Sequence, residues 1–139
     1  MEITANALQT VATNSNILFT DTAVRGNCSL LHRDGSGLVT LRGLTDQCRA
    51  RFRVSFGANV GIPAAGTVAP ITLAITINGE PVGPATMIST PAAVSEFNNV
   101  FAAVFIDVPS GCCQTVGVRN LSADDIDVQN ANLIVERVA

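Results

Sequence analysis

Four cysteines are the side chains in this sequence with the widest range of chemistry: Cys28, Cys48, Cys112 and Cys113. No Cys-x-x-Cys spacing is present, and His32 is the only histidine, so a zinc site is not indicated. A catalytic thiol would have no other imidazole to serve as its base. Two interpretations remain open, small buried hydrophobic side chains in a reduced protein and a structural disulfide, for which four cysteines allow three pairings. Metal or redox chemistry is the weakest alternative.

Three arginines alternate along one predicted strand, so Arg49, Arg51 and Arg53 share a face. Like charges side by side repel unless carboxylates pair with them. If the strand faces other subunits, we expect ion pairs between subunits, because the planar guanidinium suits interface pairing. A solvated face and a site for an anion, such as a sugar acid or phosphate, are the alternatives. The candidate acidic partners are Asp46, Asp107, Asp124, Asp125, Asp127 and Glu136.

The remaining polar clusters do not point to catalysis. Asp124, Asp125 and Asp127 could suggest calcium, but their spacing does not fit the twelve-residue calcium loop, so a solvated turn is the better interpretation. His32 lies at a predicted hairpin and is expected to be a surface or hydrogen-bonded histidine. No serine has a nucleophile-elbow context, and no glycine-rich phosphate loop follows a strand. We therefore expect no enzyme activity, no catalytic residues, no cofactor and no bound metal.

The composition limits the class of protein. The chain has 139 residues, 47% of them hydrophobic and 14% charged, against roughly 25% charged in ordinary domains. This balance excludes a disordered tail and indicates one domain over residues 1–139. All eight basic residues are arginine and the net charge is −3, which argues against nucleic-acid binding. No apolar run is long enough to cross a membrane, and because Met1 is followed by Glu2 and mixed polar residues we expect no secretory signal.

Elements that alternate apolar and polar residues, separated by turn residues, predict an all-β antiparallel sandwich of about ten strands. No segment has convincing helical periodicity. Asn78-Gly79 is a strong hairpin signal. Two short strands are expected between residues 8 and 19, and the others cover 28–32, 38–42, 49–62, 70–77, 87–90, 96–108, 115–120 and 126–138.

The segment 100–106 is apolar on both faces, which a strand in a two-layer sandwich does not require. Its even-numbered residues can point into the core, and this leaves Phe101, Ala103 and Phe105 on the outer side. Either a loop or another subunit must cover that side. Because the chain has so few charges, we favour another subunit, since exposed apolar patches usually mark interfaces.

Four segments, in this order and spacing, resemble the tumour-necrosis-factor-like jelly roll of complement-type globular heads and spore-surface collagen-like glycoproteins. They are 16–19 (NILF), 51–56 (RFRVSF), 115–120 (TVGVRN) and 131–136 (ANLIVE), within a likeness that covers 7–138. The chain also looks like small proteins encoded by phages and prophages of gut Firmicutes. It departs from these families in having no Gly-X-Y stalk, and from most complement-type heads in lacking Tyr and Trp.

The resemblance implies a homotrimer in which the inner sheets pack about a threefold axis. Phe101, Ala103 and Phe105 would then lie at the trimer interface, together with Arg49, Arg51 and Arg53. It also implies that the turns before Arg49 and after Pro109 meet at one end of the sandwich. Cys48 could therefore pair with Cys112 or Cys113.

These observations predict a non-enzymatic, trimeric structural or adhesive module. Its most concrete form is a phage or prophage virion component, such as a head fibre, a decoration protein or a receptor-binding tip. The alternatives are a structural protein of the spore surface (exosporium) and a carbohydrate-binding, lectin-like head, although no Trp or Tyr is present to stack on sugars. The expected partners are further copies of the chain, cell-surface glycans or other virion proteins, without nucleic acid or membrane insertion. We expect synthesis in the cytoplasm and a final location on a virion, cell or spore surface.

Overall fold

A computed structural model describes residues 1–43, 48–111 and 113–139, and these ranges contain eleven β-strands and no helix. The all-β prediction is therefore confirmed, and no helix in the described ranges could span a membrane. The strands are β1 (Glu2–Ala5), β2 (Gln9–Val11), β3 (Asp21–Val24), β4 (Leu30–His32), β5 (Val39–Arg42), β6 (Arg49–Gly61), β7 (Ile71–Ile77), β8 (Glu80–Ser89), β9 (Phe97–Pro109), β10 (Cys113–Asn120) and β11 (Ile126–Arg137).

The strands form two antiparallel sheets that pack face to face. Sheet A has the order β3-β1-β11-β6-β9, and β2 also pairs with β11. Sheet B has the order β4-β5-β10-β7-β8. The long strands β6 and β9 pair along their whole length, from Arg49 opposite Pro109 to Gly61 opposite Phe97. This pairing places β9 at the edge of sheet A.

The core follows from alternation along each strand. On β6, Phe52, Val54 and Phe56 are fully buried between the sheets, while the arginines point away from the core. Phe19 comes from the loop before β3 and meets Phe56 edge to face, with ring centroids 6.4 Å apart and an interplanar angle of 83°. Aromatic pairs prefer this arrangement because the positive ring edge meets the negative ring face.

Several strands differ from the sequence prediction. The segment 87–90 is only the end of β8, which begins at Glu80 and contains Pro81 and Pro84. Prolines are tolerated there because β8 is an edge strand and pairs with a neighbour on one side only. A residue without an N–H therefore need not break a hydrogen bond between strands. The strands β1 and β3 were not expected. The second strand expected before Phe19 is instead a loop.

The turns were predicted more accurately. Asn78 and Gly79 have φ angles of 51° and 85° and connect β7 to β8 as the expected hairpin. The hairpin across residues 33–37 is also present, as β4 pairs with β5 through Leu30 opposite Leu41.

Candidate functional site

An apolar patch lies on the outer face of sheet A. Phe101 and Phe105 of β9 are 66% and 62% exposed, and they flank Ala103, which is also exposed. Ile134 of β11 lies level with Ala103, because both residues are opposite Ser55 of β6. We call Phe101, Ala103, Phe105 and Ile134 the apolar patch. On the inner face of β9, Val100, Ala102 and Ile106 are buried and Val104 is half-buried against the core, so the two-faced character of this strand is confirmed.

A row of ion pairs borders one end of the apolar patch. Arg51 donates from Nε to Asp107 Oδ1 over 2.8 Å and from Nη2 to Oδ2 over 3.1 Å. Arg53 Nη2 is 2.7 Å from Glu136 Oε1, and Arg49 Nε is 3.7 Å from Asp107 Oδ2. The hydrogen bond from Arg51 is the main cause that lowers the pKa of Asp107, and the same bond raises the pKa of Arg51.

These ion pairs change the interpretation of the arginines. Each has a carboxylate partner in its own chain, so an acidic residue of a neighbouring subunit is not needed to neutralise it. Of the six candidate partners, Asp107 and Glu136 are the ones found. Asp127 is opposite Gly61, at the far end of β6 from Arg49. Asp46 lies outside the described residues. The remaining candidates, Asp124 and Asp125, are in the loop that leads into β11.

A row of amides borders the other end of the apolar patch. Asn99 donates from Nδ2 to Asn59 Oδ1 over 3.3 Å, and Asn59 donates from Nδ2 to Asn130 Oδ1 over 3.2 Å. This amide row crosses β9, β6 and β11. The amide row could not be predicted from the sequence, because the three asparagines align only once the strand register is known. Their positions on the outer face of each strand were the one available signal.

The cysteines agree with only part of the prediction. The turns before Arg49 and after Pro109 do meet, since Ser110 N donates to Cys48 O over 3.0 Å. Cys28, Cys48 and Cys113 are nevertheless free and exposed thiols. The interpretation as buried hydrophobic side chains is therefore wrong for these three, and no disulfide links any two of them. Cys112, the other candidate partner of Cys48, lies outside the described residues.

His32 and Asp127 are both held by hydrogen bonds within the chain. The buried His32 side chain donates from Nε2 to Ser36 O over 3.1 Å, and its Nδ1 is 3.2 Å from Thr22 Oγ1. Thr10 Oγ1 donates to Asp127 Oδ1 over 2.8 Å. Across the described ranges, no three His, Cys, Asp or Glu side chains are grouped closely enough to hold a metal ion.

Three solved structures are similar to this chain to different degrees. The globular domain of zebrafish complement 1qA protein has a TM-score of 0.65 and 12% identity, over 96% of this chain and 93% of that chain. The C-terminal domain of EclA, a sugar-binding protein, has a TM-score of 0.46 and 11% identity over 95% and 79% of the two chains. Rabbit GITRL has a TM-score of 0.45 and 13% identity over 80% and 78%.

No protein-family model and no curated protein matches the sequence. The structural likeness therefore concerns the fold, and the expected resemblance in architecture is confirmed at that level. The chain is an antiparallel, two-sheet jelly roll with the fold of the complement C1q globular domain.

Proposed function

We propose that this chain is a non-enzymatic module that forms a homotrimer through the outer face of sheet A and acts as a structural or adhesive component. The observation that carries the proposal is the apolar patch, which the ion pairs of β6 border at one end and the amide row borders at the other. Two phenylalanine rings that are more than half exposed on one strand are costly in water. Burial of the surface that each ring still exposes would contribute about 1–2 kcal/mol.

A second and third copy of the chain suit this face better than an unrelated partner. If the threefold axis runs parallel to the strands of sheet A, a given row of residues lies at the same position along the axis in all three copies. The phenylalanines of one copy then meet the phenylalanines of the next, and amide rows meet amide rows. The charged and amide side chains are already paired within the chain. Burying them at an interface therefore leaves fewer unpaired groups than burial of free charges would.

The proposed biological setting is a virion, where the chain would be a head fibre, a decoration protein or a receptor-binding tip. The resemblance of the sequence to small phage and prophage proteins motivates this setting, and threefold display would raise a weak affinity by avidity. A spore-surface protein is the alternative. The genes beside this one test the choice, since capsid and tail genes would support the virion and sporulation genes would overturn it.

Light scattering of the purified protein tests self-association. We expect a particle of three times 14.4 kDa. The double variant Phe101→Ser/Phe105→Ser should be a folded monomer, because both side chains lie outside the core. A stable wild-type monomer would overturn the proposal.

A matched control separates the apolar patch from hydrophobicity in general. Ile88 of β8 is 69% exposed and belongs to sheet B. The variant Ile88→Ser should remain a trimer. If Ile88→Ser also dissociates the particle, or if the phenylalanine variant does not, the interface lies elsewhere.

A further inference from the structure

A second candidate surface is a cleft beside β2 and β10, away from the apolar patch. Its volume is about 470 Å³. We call it the Arg119 cleft. The residues that line it are mostly polar and uncharged, Arg119 is its only charged residue, and none of them belongs to the apolar patch. Its lining includes Gln9, Asn14, Ser15, Asn16, Leu18 and Arg119.

Hydrogen bonds fix the wall of the cleft before any ligand arrives. Asn14 N donates to Asn120 O over 2.8 Å, and Asn120 N donates to Ser15 O over 2.9 Å. Gln9 holds Leu18 by two bonds, from its Nε2 to Leu18 O over 2.9 Å and from Leu18 N to its Oε1 over 3.1 Å. A wall held in this way needs little ordering when a ligand binds, which favours affinity.

Two polar atoms at the cleft have no hydrogen-bond partner. Arg119 Nε and Asn16 Oδ1 are both buried, and neither is satisfied. Asn16 and Arg119 also form a β-bridge, so the two side chains start from adjacent backbone positions. A buried donor or acceptor without a partner costs free energy, and most such groups in proteins are satisfied. Arg119 Nε is a donor on a cation, and Asn16 Oδ1 is a neutral acceptor.

We propose that the Arg119 cleft binds a sugar that carries a carboxylate, such as a hexuronic acid. Its carboxylate would accept hydrogen bonds from the Arg119 guanidinium, and its hydroxyl groups would donate to Asn16 Oδ1. Because neither Arg119 Nε nor Asn16 Oδ1 has a hydrogen bond to break, both side chains can rotate to turn these buried atoms towards the ligand. The volume is within the range of small-ligand sites.

Nearby charge favours one carboxylate over a phosphate. Thr10 lines both this cleft and a neighbouring cleft that Asp124 and Asp125 line. Thr10 Oγ1 also donates to Asp127. The three aspartates repel any anion near Thr10, and they repel a doubly charged phosphate more strongly than a single carboxylate. A neutral sugar would leave the arginine without its anion.

This inference does not depend on self-association, because all the lining residues come from one chain. If the trimer forms as proposed, it would display three such clefts and increase the apparent affinity. The double variant Phe101→Ser/Phe105→Ser should therefore bind the sugar acid with unchanged intrinsic affinity. A monomeric wild-type protein that binds glucuronate would therefore count against the interface alone, and a trimeric protein that does not bind it would count against the cleft alone.

Titration of ¹⁵N-labelled protein with glucuronate, glucose, acetate and phosphate tests the proposal by NMR. We expect millimolar binding of glucuronate, with shifts in the amides of residues 9–18 and 119. Glucose lacks the carboxylate, acetate lacks the sugar hydroxyl groups, and phosphate carries more negative charge. Each should therefore bind about tenfold more weakly than glucuronate. Equal binding of acetate or phosphate would overturn the assignment to a sugar acid. No shifts with glucuronate would overturn the site itself.

Variants locate the binding. Arg119→Gln should weaken glucuronate binding about tenfold, and Arg119→Lys should weaken it less, because lysine keeps the charge and loses the planar fork. Arg33→Gln is the matched control, since Arg33 is exposed on the β4–β5 hairpin and does not line the cleft. The spectrum of each variant reports whether it is folded. If Arg33→Gln weakens binding as much as Arg119→Gln does, the effect is one of net charge and the proposal fails.

Discussion

Arg51 and Asp107 face each other directly across β6 and β9, and the guanidinium donates one hydrogen bond to each oxygen of the carboxylate. The bonds hold the pKa of Asp107 below its ordinary value of 3.8, and the charges of Arg51 and Arg49 act in the same direction. Both side chains lie on the outer face of sheet A, beside Phe105. The pair therefore neutralises much of the charge next to the apolar patch.

The lowered pKa of Asp107 makes the stability of the fold depend on pH. A carboxyl whose pKa is lower in the folded state stabilises that state above its unfolded pKa. This contribution is lost as the pH falls through the folded pKa, which lies below 3.8. We expect Asp107→Asn to lower the urea midpoint slightly at pH 6, because both groups are solvent-exposed. The difference from wild type should disappear at the acidic end of the titration. A difference that persists or grows in acid would contradict the assignment.

The turn at Asn78 predicts a second stability effect. Its side-chain Oδ1 accepts a hydrogen bond from Thr115 N over 2.9 Å, and its φ of 51° is unfavourable for most residues. Asn78→Ala should cost about 2 kcal/mol in the free energy of unfolding, since it loses the acceptor and adopts a left-handed conformation less readily.

Asn78→Asp is the matched control for this prediction. It keeps a side-chain acceptor and tolerates the left-handed region, so its cost should be about half or less. Chemical denaturation measures both variants. Equal losses for alanine and aspartate would show that the Thr115 contact and the turn conformation do not contribute as described.

The close approach of two backbone segments at Gly117 predicts a third effect. A Cβ at this position would lie 2.8 Å from Gly37 O and 3.1 Å from Leu38 Cδ2. Gly117→Ala must therefore push the loop before β5 away from β10, at a cost of about 1–3 kcal/mol. Gly83→Ala is the control, because no heavy atom lies within 4 Å of its Cβ position. Thermal denaturation should show a clear loss for Gly117→Ala and a negligible change for Gly83→Ala. A similar result for both would mean that the segments are not packed so closely.

Strand alternation predicted the elements that carry a long apolar pattern and failed where the pattern was short or interrupted. The long strands β6 and β9 repeat the alternation many times, so even the exposed side of Phe101 and Phe105 could be assigned. By contrast, β3 has four residues of mixed character, and the prolines of β8 obscured its first half. A short strand depends on its neighbours for hydrogen bonds, and those neighbours are distant in sequence.

The same reason explains which parts of the candidate sites could be predicted. The face on which Arg51 lies is a local property of its strand. Its partner Asp107 was one of six candidates, because the choice depends on the register between β6 and β9. The Arg119 cleft could not be predicted at all. It exists because the loop containing Asn16 lies alongside β10, where Ile17 N donates to Val118 O over 2.9 Å and Asn16 forms a β-bridge with Arg119.

The exposed thiols predict rapid chemical labelling of the folded protein. Cys28, Cys48 and Cys113 are free and exposed, so a maleimide should reach each of them without denaturant. In the variant Cys112→Ser, mass spectrometry should show three labels on the native protein, and the same number after unfolding. Replacing Cys48 as well should reduce the count to two. A thiol that reacts only after unfolding, or an unreduced protein lighter by two hydrogens, would contradict the free and exposed state of these cysteines.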